Sequence, residues 1–165
     1  MKILVFSDSH SSLRFMRCCV RSVKPDCLIH LGDHSEDGAV ISAENPGIMY
    51  YSVPGNCDSI YYSSAEEATR IVDIAGVRFL ITHGHRFHVK SGIESLLSYG
   101  MSLGVQGILY GHTHTAMLEW EPGGLLVLNP GAAGSGGGSG AIIEISDGMI
   151  NACRFVGQAD LDSFV

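Results

Sequence analysis

Residues 107–114 read GILYGHTH, an apolar run that ends in a turn carrying His112 and His114. One residue separates the two histidines, and in a non-helical turn this spacing lets the imidazoles diverge toward different ions or different sides of one ion. Such a pair is weak on its own, because histidines beside a turn are more often surface or hydrogen-bonded residues than metal ligands. It gains weight because four other apolar runs of the chain end in similar side chains.

The five apolar runs share one kind of ending, a carboxylate, amide or imidazole side chain. In chain order these residues are Asp8 with His10, Asp33, Asn56, His83, and His112 with His114. If the strands run parallel, their ends meet at the carboxyl edge of a sheet, where open α/β folds keep their sites. Oxygen and nitrogen ligands without thiolates favour ions such as Mn²⁺, Fe²⁺ or Zn²⁺. Seven ligands are too many for one small ion with an open position, and two ions that share a bridging carboxylate fit the count.

The first half of the chain alternates predicted strands with helical segments. The strands are predicted at 2–6, 26–31 and 48–53, with a helix at 13–22 after a Ser N-cap and an acidic, helical segment up to Asn45. Strands joined by such crossovers predict a parallel sheet that is covered on both faces.

The second half changes character. Segments 70–74 and 77–82 flank Ala75 and Gly76, which is a hairpin signal. A helix is predicted at 93–103, and its apolar face consists of Ile93, Leu96, Leu97 and Met101. Four short apolar segments joined by turns then predict an antiparallel meander, at 116–120, 125–128, 141–145 and 149–155.

Length and composition indicate one domain over residues 1–165. The chain has 165 residues and 45% hydrophobic residues, enough for a sizeable core. Its longest apolar runs fall far short of the roughly 20 residues that span a bilayer, and the N-terminal run is too short for a secretory signal. Five cysteines without CxxC spacing predict no disulfide framework. We therefore expect a cytoplasmic protein without a membrane span.

The negative net charge of the chain indicates which partners it can attract. A formal net charge of -7 opposes attraction to a long polyanion, although bound cations would neutralise part of it. Binding along duplex nucleic acid is therefore disfavoured.

The segments DSH, GDH, GNCD, THGH and GHTH occur in this order between residues 8 and 114. Their order and spacing resemble the signature of the calcineurin-like metallophosphoesterases, and in particular of their small phosphodiesterase branch. The resemblance implies an α/β fold of the αββα type, in which two sheets pack face to face between outer helices. It also implies a phosphodiesterase that attacks a small phosphodiester with a hydroxide activated by two metal ions.

The resemblance also implies a role for each ligand. One ion would be held by Asp8, His10 and His114, the other by Asn56, His83 and His112, and Asp33 would bridge them. Manganese is favoured, with Fe²⁺, Zn²⁺ and Ni²⁺ as alternatives.

The segment GNCD departs from the broad family pattern. Cys57 stands where many members have a histidine that helps the leaving group depart, although the small branch commonly shows this Cys. We therefore expect His85 to be the general acid, and Asp58 to orient it or a neighbouring ligand, with a turn cap as the equal alternative for Asp58. Cys57 is assigned a packing or ligand-supporting role.

Other polar segments carry weaker expectations. Residues 131–140 read GAAGSGGGSG, either a flexible loop at a strand end or a mobile flap over the site, and they lack the Ser and Arg that similar family members have here. Arg86, His88 and Lys90 are expected on a solvated loop. We expect His30 to be a buried, hydrogen-bonded side chain. His34 adjoins Asp33, which leaves open whether it supports a ligand or contacts the substrate.

A second class of function competes with the enzyme. Proteins similar to this family have kept the fold as interaction scaffolds after losing metal ligands. Ligand completeness distinguishes the two classes, and no ligand position is missing here. Nothing in the sequence specifies an oligomeric state or a physiological substrate.

Overall fold

The computed structural model describes residues 1–58 and 68–161. Two five-stranded sheets pack face to face, and helices cover their outer faces. The strands are β1 Lys2–Phe6, β2 Cys27–His30, β3 Met49–Ser52, β4 Thr69–Ile74, β5 Val77–Thr82, β6 Gly107–Leu109, β7 Met117–Glu121, β8 Leu125–Asn129, β9 Ser139–Ser146 and β10 Met149–Gly157. The helices are α1 Leu13–Val23, α2 Ser35–Glu44, α3 Glu94–Ser102 and α4 Gln158–Leu161, with a short 3-10 helix at His85–Phe87. The predicted αββα sandwich is confirmed.

Both sheets are mixed, and each has parallel strands in its centre. The first sheet has the order β10-β9-β1-β2-β3, in which β1, β2 and β3 run parallel and β9 lies antiparallel to β1. The second has the order β4-β5-β6-β8-β7, in which β5, β6 and β8 run parallel. The loops after β1, β2, β3, β5 and β6 carry the predicted ligands.

The strand β1 is buried on both faces, which explains its continuous apolar sequence. Ile3 and Val5 belong to the core between the sheets, whereas Leu4 and Phe6 pack under α1 and α2. A third apolar cluster joins α3 to the outer face of the second sheet. The inner cluster thus holds the two sheets together, and the two outer clusters hold the helices against them.

The predicted C-terminal meander is wrong. The hairpin of β7 and β8 joins the second sheet, where β8 pairs in parallel with β6, whereas the hairpin of β9 and β10 joins the first sheet beside β1. The predicted sheet is covered on both faces, by helices on one face and by the second sheet on the other, and its strands β1, β2 and β3 run parallel.

Two local predictions for helices also fail. Met101 was expected on the buried face of α3, but it is 61% exposed, and Gly100 faces Ile108 of the sheet instead. Ser12 does occupy the N-cap position of α1, yet its side chain makes no capping hydrogen bond. The hairpin of β4 and β5 through Ala75 and Gly76 is confirmed.

All five cysteines are free thiols, as predicted. Over the described ranges, helices fall short of the length and apolar character needed to cross a bilayer.

Candidate metal centre

The predicted ligands lie in the loops that directly follow the strands. Most of these loop residues adopt left-handed backbone conformations, which cost an L-residue roughly 1–2 kcal/mol each, although Asp and His tolerate them better than most. The positive φ angles are 53° at Asp8, 44° at His10, 56° at Asp33, 70° at His112 and 59° at His114. Clusters of such conformations persist only where the surrounding structure holds them, typically at functional sites.

The loops bring six of the seven predicted ligands into two groups that share one carboxylate. The first group contains Asp8, His10, Asp33 and His114, and the second contains Asp33, His83 and His112, with the ligand atoms of each group within 4.8 Å of one another. The seventh, Asn56, joins the second group, because its Oδ1 lies 3.1 Å from His83 Nε2. These are the residues that the family resemblance assigns to each ion, and the assignment of an ion to each group stays a prediction.

The first group has the features of a cation site. Asp8 is fully buried, and its Oδ1 accepts no hydrogen bond within the part of the chain that the structure describes, although His114 Nε2 lies 3.0 Å away. The Nε2 atoms of His10 and His114 are 3.5 Å apart. A buried carboxylate oxygen without a donor is costly unless a cation neutralises it. A divalent ion bound by nitrogen and oxygen therefore fits these residues.

The second group is supported from behind by the sheet. His83 is fully buried, and its Nδ1 lies 2.8 Å from the carbonyl oxygen of Leu31. A carbonyl only accepts hydrogen bonds, so Nδ1 carries the proton and the Nε2 lone pair faces the group. Burial, followed by the charges of His83 and Lys90, lowers the pKa of His112 to about 4. His112 is therefore neutral at pH 7, as a metal ligand must be.

The two carboxylates are oriented by neighbouring donors. Ser7 Oγ and the His112 N–H donate to Asp8 Oδ2 over 2.5 and 3.1 Å. The Cys57 N–H donates to Asp33 Oδ1 over 2.8 Å. Desolvation opposes ionisation of Asp33, but this hydrogen bond and the nearby histidines lower its pKa overall.

Two glycines are required by close backbone approach. A Cβ at Gly55 would overlap Asp33, and a Cβ at Gly111 would overlap Ser7 and contact Asp8. The glycines of GNCD and GHTH therefore let the loops close around the carboxylates.

His85 borders the second group. Its ring centroid lies 5.4 Å from that of His83 and 6.1 Å from that of His112. Its Nδ1 is buried and, among the described residues, has no hydrogen-bond partner. Burial, followed by the charge of His83, lowers the pKa of His85.

Asp58 serves as a cap for two backbone segments. Its Oδ1 accepts a hydrogen bond from the Ser35 N–H over 2.8 Å, and its Oδ2 accepts one from the Gly55 N–H over 2.7 Å. Both oxygens are therefore used in the way that the turn-cap alternative requires. Within residues 1–58 and 68–161, no hydrogen bond joins Asp58 to His85.

Of the two roles expected for Cys57, packing is wrong because its side chain is exposed, whereas its hydrogen bonds to Asp33 and Asn56 agree with the ligand-supporting role. Partial desolvation and the adjacent Asp33 raise the pKa of the thiol. Cys57 supports the site through its backbone N–H and through its sulfur, which hydrogen-bonds to Asp33 and accepts from Asn56 Nδ2 over 3.4 Å.

The weaker expectations have mixed outcomes. His30 is fully buried and hydrogen-bonded, as predicted. His34 Nδ1 lies 3.3 Å from Ser11 Oγ, beside the ring of His10. Arg86, His88 and Lys90 are exposed. The glycine-rich segment begins as a fixed loop, because Ala133 and Gly134 N–H groups donate to the Ser7 and Asp8 carbonyls over 2.9 and 3.1 Å.

Sequence reasoning missed several supporting residues. Asn129 at the end of β8 donates to the Gly111 carbonyl and to Thr113 Oγ1 over 3.0 Å each, and so fixes the loop of the two histidines. Its place at a strand end before Pro130 and Gly131 was the available signal. Ser9 and Asp37 were also missed, and neither carried a signal.

Comparison with known proteins gives the same family as the motifs. Residues 1–148 match the model of the calcineurin-like phosphoesterase superfamily domain. A relative from Bacillus subtilis (strain 168), probable metallophosphoesterase YsnB, is 27% identical over 135 residues, which are 80% of this chain and 75% of the relative.

Solved structures extend the comparison to the fold. A predicted phosphoesterase from Streptococcus pneumoniae TIGR4 is 26% identical, with a TM-score of 0.73 over 96% of this chain and 90% of that chain. An archaeal phosphodiesterase is 24% identical, with a TM-score of 0.70 over 95% and 99% of the two chains. Vps29 of Entamoeba histolytica, complexed with Zn²⁺, is 22% identical, with a TM-score of 0.67 over 96% and 99%. At these identities the last two comparisons establish the fold alone.

Proposed function

Because the chain belongs to the calcineurin-like phosphoesterase superfamily, a family of metal-dependent phosphoesterases, we propose that it hydrolyses a small phosphodiester with two divalent ions. The single observation that carries this proposal is the pair of ligand groups that share Asp33. A carboxylate shared by two ligand groups can bridge two neighbouring ions, and the buried Asp8 Oδ1 without a donor among the described residues supports a cation beside it. Manganese is the proposed ion, with Fe²⁺, Zn²⁺ and Ni²⁺ as alternatives.

The ligand residues have different roles in the proposed reaction. Two bound ions would supply a water nucleophile at neutral pH and neutralise the charge of the phosphate. Asp8 and Asp33 contribute the negative charge that holds cations, and their orientation is fixed by hydrogen bonds to their oxygens. His83 is kept in one tautomer by the Leu31 carbonyl.

The leaving oxygen needs a proton, and His85 is the proposed donor. Its imidazole borders the second ligand group and is partly exposed. Because the pKa of His85 is lowered, only a minor fraction carries the second proton at pH 7, and donation from it should increase as the pH falls. Cys57 is the weaker candidate, because its raised thiol pKa makes it a poor acid for an alkoxide at pH 7. Asp58 is proposed to act indirectly, by holding Gly55 and thus the loop of Asn56.

The proposed substrate is small. The net charge of -7 gives no electrostatic attraction along a nucleic acid, whereas two divalent ions would attract a single phosphate locally. Long duplex DNA is therefore not the proposed partner.

An interaction scaffold is the competing function. The fold alone does not decide between the two, because Vps29 shares it. The ligand set favours the enzyme, since all seven positions hold ligand-type side chains and the loops bring them together.

Hydrolysis of bis(nitrophenyl) phosphate by metal-depleted protein tests the proposal. We expect no turnover in chelator, recovery on adding one divalent ion at a time with Mn²⁺ most effective, and no preference for duplex DNA. A phosphomonoester and pyrophosphate complete the panel. If protein carrying two ions cleaves none of these compounds, the enzyme proposal is wrong and the scaffold is favoured.

A further inference from the structure

A chain of buried hydrogen bonds runs beneath the loop that carries His10, and the proposed reaction does not use it. Its members His30, Ser9 and Asp37 are 0%, 0% and 7% exposed. Ser9 Oγ lies 3.1 Å from His30 Nε2 and 2.7 Å from Asp37 Oδ2. The same Asp37 oxygen accepts the Ser11 N–H over 2.8 Å. Asp37 thus connects the first turn of α2 to the loop after β1.

The direction of these hydrogen bonds follows from the donors. The Gly32 N–H donates to His30 Nδ1 over 3.3 Å, so that nitrogen carries no proton. The proton of the neutral imidazole is then on Nε2 and is donated to Ser9 Oγ, whose own hydroxyl proton is donated to Asp37. Each proton points toward the Asp37 carboxylate, and charge-assisted hydrogen bonds of this kind are the stronger ones.

The exposed part of the His10 loop, from His10 onward, needs this support because its own side chains are little packed. Asp8, His10 and Ser11 all have left-handed φ angles, of 53°, 44° and 66°. His10 is itself exposed. The two groups that bind Asp37 belong to Ser9 and Ser11, the residues directly before and after His10. Both sides of His10 are therefore fixed to one buried carboxylate.

We propose that Asp37, acting through Ser9 and the Ser11 N–H, is a positioning residue that sets the metal affinity of the group containing His10. This inference rests on the proposed function, because it concerns one of the two proposed ions. Within residues 1–58 and 68–161, no hydrogen bond or ion pair joins Asp37 to a ligand side chain, so we expect its effect to pass through the backbone of the loop.

Calorimetric titration of Mn²⁺ into metal-depleted protein tests the inference without an activity readout. His10→Ala and Asn56→Ala identify which binding step belongs to which ligand group. We expect Asp37→Ala to weaken the His10 step by about 10–100-fold, the usual effect of removing a residue that orients a ligand, and to leave the other step unchanged. Asp37→Asn keeps an acceptor oxygen at the same place and should recover most of the affinity.

Asp73→Ala is the matched control. Asp73 is an exposed carboxylate of β4 paired with Arg78, so the variant loses the same charge away from the loop and should bind both ions as the wild type does. Ser9→Ala removes only one hydroxyl, and it carries the test if Asp37→Ala does not fold. We expect it to weaken the His10 step by about tenfold.

Two outcomes overturn the inference alone. In the first, the wild type binds two ions and the Asp37→Ala variant binds them with the same affinities. If Asp37→Ala does not fold, the same result for Ser9→Ala counts. The other is equal weakening of both steps together with a lower unfolding temperature, which indicates a general structural role. A wild type that binds fewer than two ions instead overturns the proposed function on which the inference rests.

Discussion

The two halves of the ligand cluster are held by different means. His83 is fully buried and tied through Leu31 to the sheet, whereas His10 is exposed and His114 is 44% exposed. We call the second ligand group the buried half, after His83, and the first group the open half, after His10 and His114. His83 is fixed by packing and by the Leu31 carbonyl, whereas the left-handed backbone around His10 is held by hydrogen bonds. Similar residue types at one sheet edge can therefore differ in what keeps them in place. Among the residues that the structure describes, Asp33 alone belongs to both halves.

The largest expected effect comes from removing the residue that the halves share. Asp33→Ala should lower kcat/KM for a phosphodiester by at least about 10³-fold, because ion-based charge stabilisation is worth several kcal/mol and both ions lose a ligand. His10→Ala and Asn56→Ala each remove a ligand of one half and should lose less activity. Steady-state kinetics at saturating Mn²⁺ measure the three variants. A loss in Asp33→Ala no larger than in His10→Ala would contradict a shared ligand.

The next largest effect is the rate loss of His85→Ala, which tests whether the leaving group is protonated from the side of the buried half. His85 borders the buried half, and with both ions retained His85→Ala should slow hydrolysis of an alkyl phosphodiester by at least about 10²-fold, the usual contribution of a general acid. Hydrolysis of a nitrophenyl phosphodiester should change far less, because nitrophenolate departs with little protonation.

Cys57→Ala is the control for that comparison and should show no difference between the two substrates. If His85→Ala slows both substrates equally, its role is to hold the phosphate or tune the ions, and the general-acid assignment falls.

The residue types of the site could be predicted from sequence because ligand side chains follow apolar runs. The left-handed conformations could not, since Asp and His tolerate them without requiring them. Asp37 looked like an ordinary acid in the first turn of a helix, and nothing local indicates that Ser9, 28 residues earlier, is its partner.

The fold shows the same limit. Local patterns located the strands, but the pairing of β9 with β1 is a contact between distant segments that no local pattern specifies. Helical spacing placed Met101 on the buried face of α3, whereas Gly100 allows close approach to Ile108 and leaves Met101 outside.

A stability measurement probes the hydrogen bonds under the open half. Burial lowers the pKa of His30 to about 4, with Asp58, Asp37 and Asp8 opposing the shift and His83 adding to it. The unfolded chain then binds a proton between pH 6.5 and 4 that the folded chain does not bind. The contribution of neutral His30 to the free energy of unfolding is therefore complete above pH 6.5. Up to about 3 kcal/mol of it is lost as the pH falls toward 4.

Urea unfolding in chelator at pH 7 and pH 4.5 measures this loss. His30→Gln should be less stable at pH 7 and show a smaller difference between the two pH values. An identical pH dependence in wild type and variant would show that His30 titrates normally.

The smallest expected effect is on the free energy of unfolding of the metal-free protein, which substitutions in the two halves should change by different amounts. His83→Ala should lower the free energy of unfolding by about 1–3 kcal/mol, because the buried Leu31 carbonyl loses its donor. His10→Ala should change it by less than about 0.5 kcal/mol, as is usual at an exposed position. Urea denaturation in chelator compares them, and equal losses would remove the distinction between a packed half and an open half.

Metal content after reconstitution tests the central claim of two ions that share one carboxylate. Elemental analysis of wild type dialysed against Mn²⁺ should give two ions per chain, and Asp33→Ala should lose both under the same conditions, while Asp73→Ala keeps both. A wild type with one ion or none, or an Asp33→Ala variant that retains two, would contradict the account.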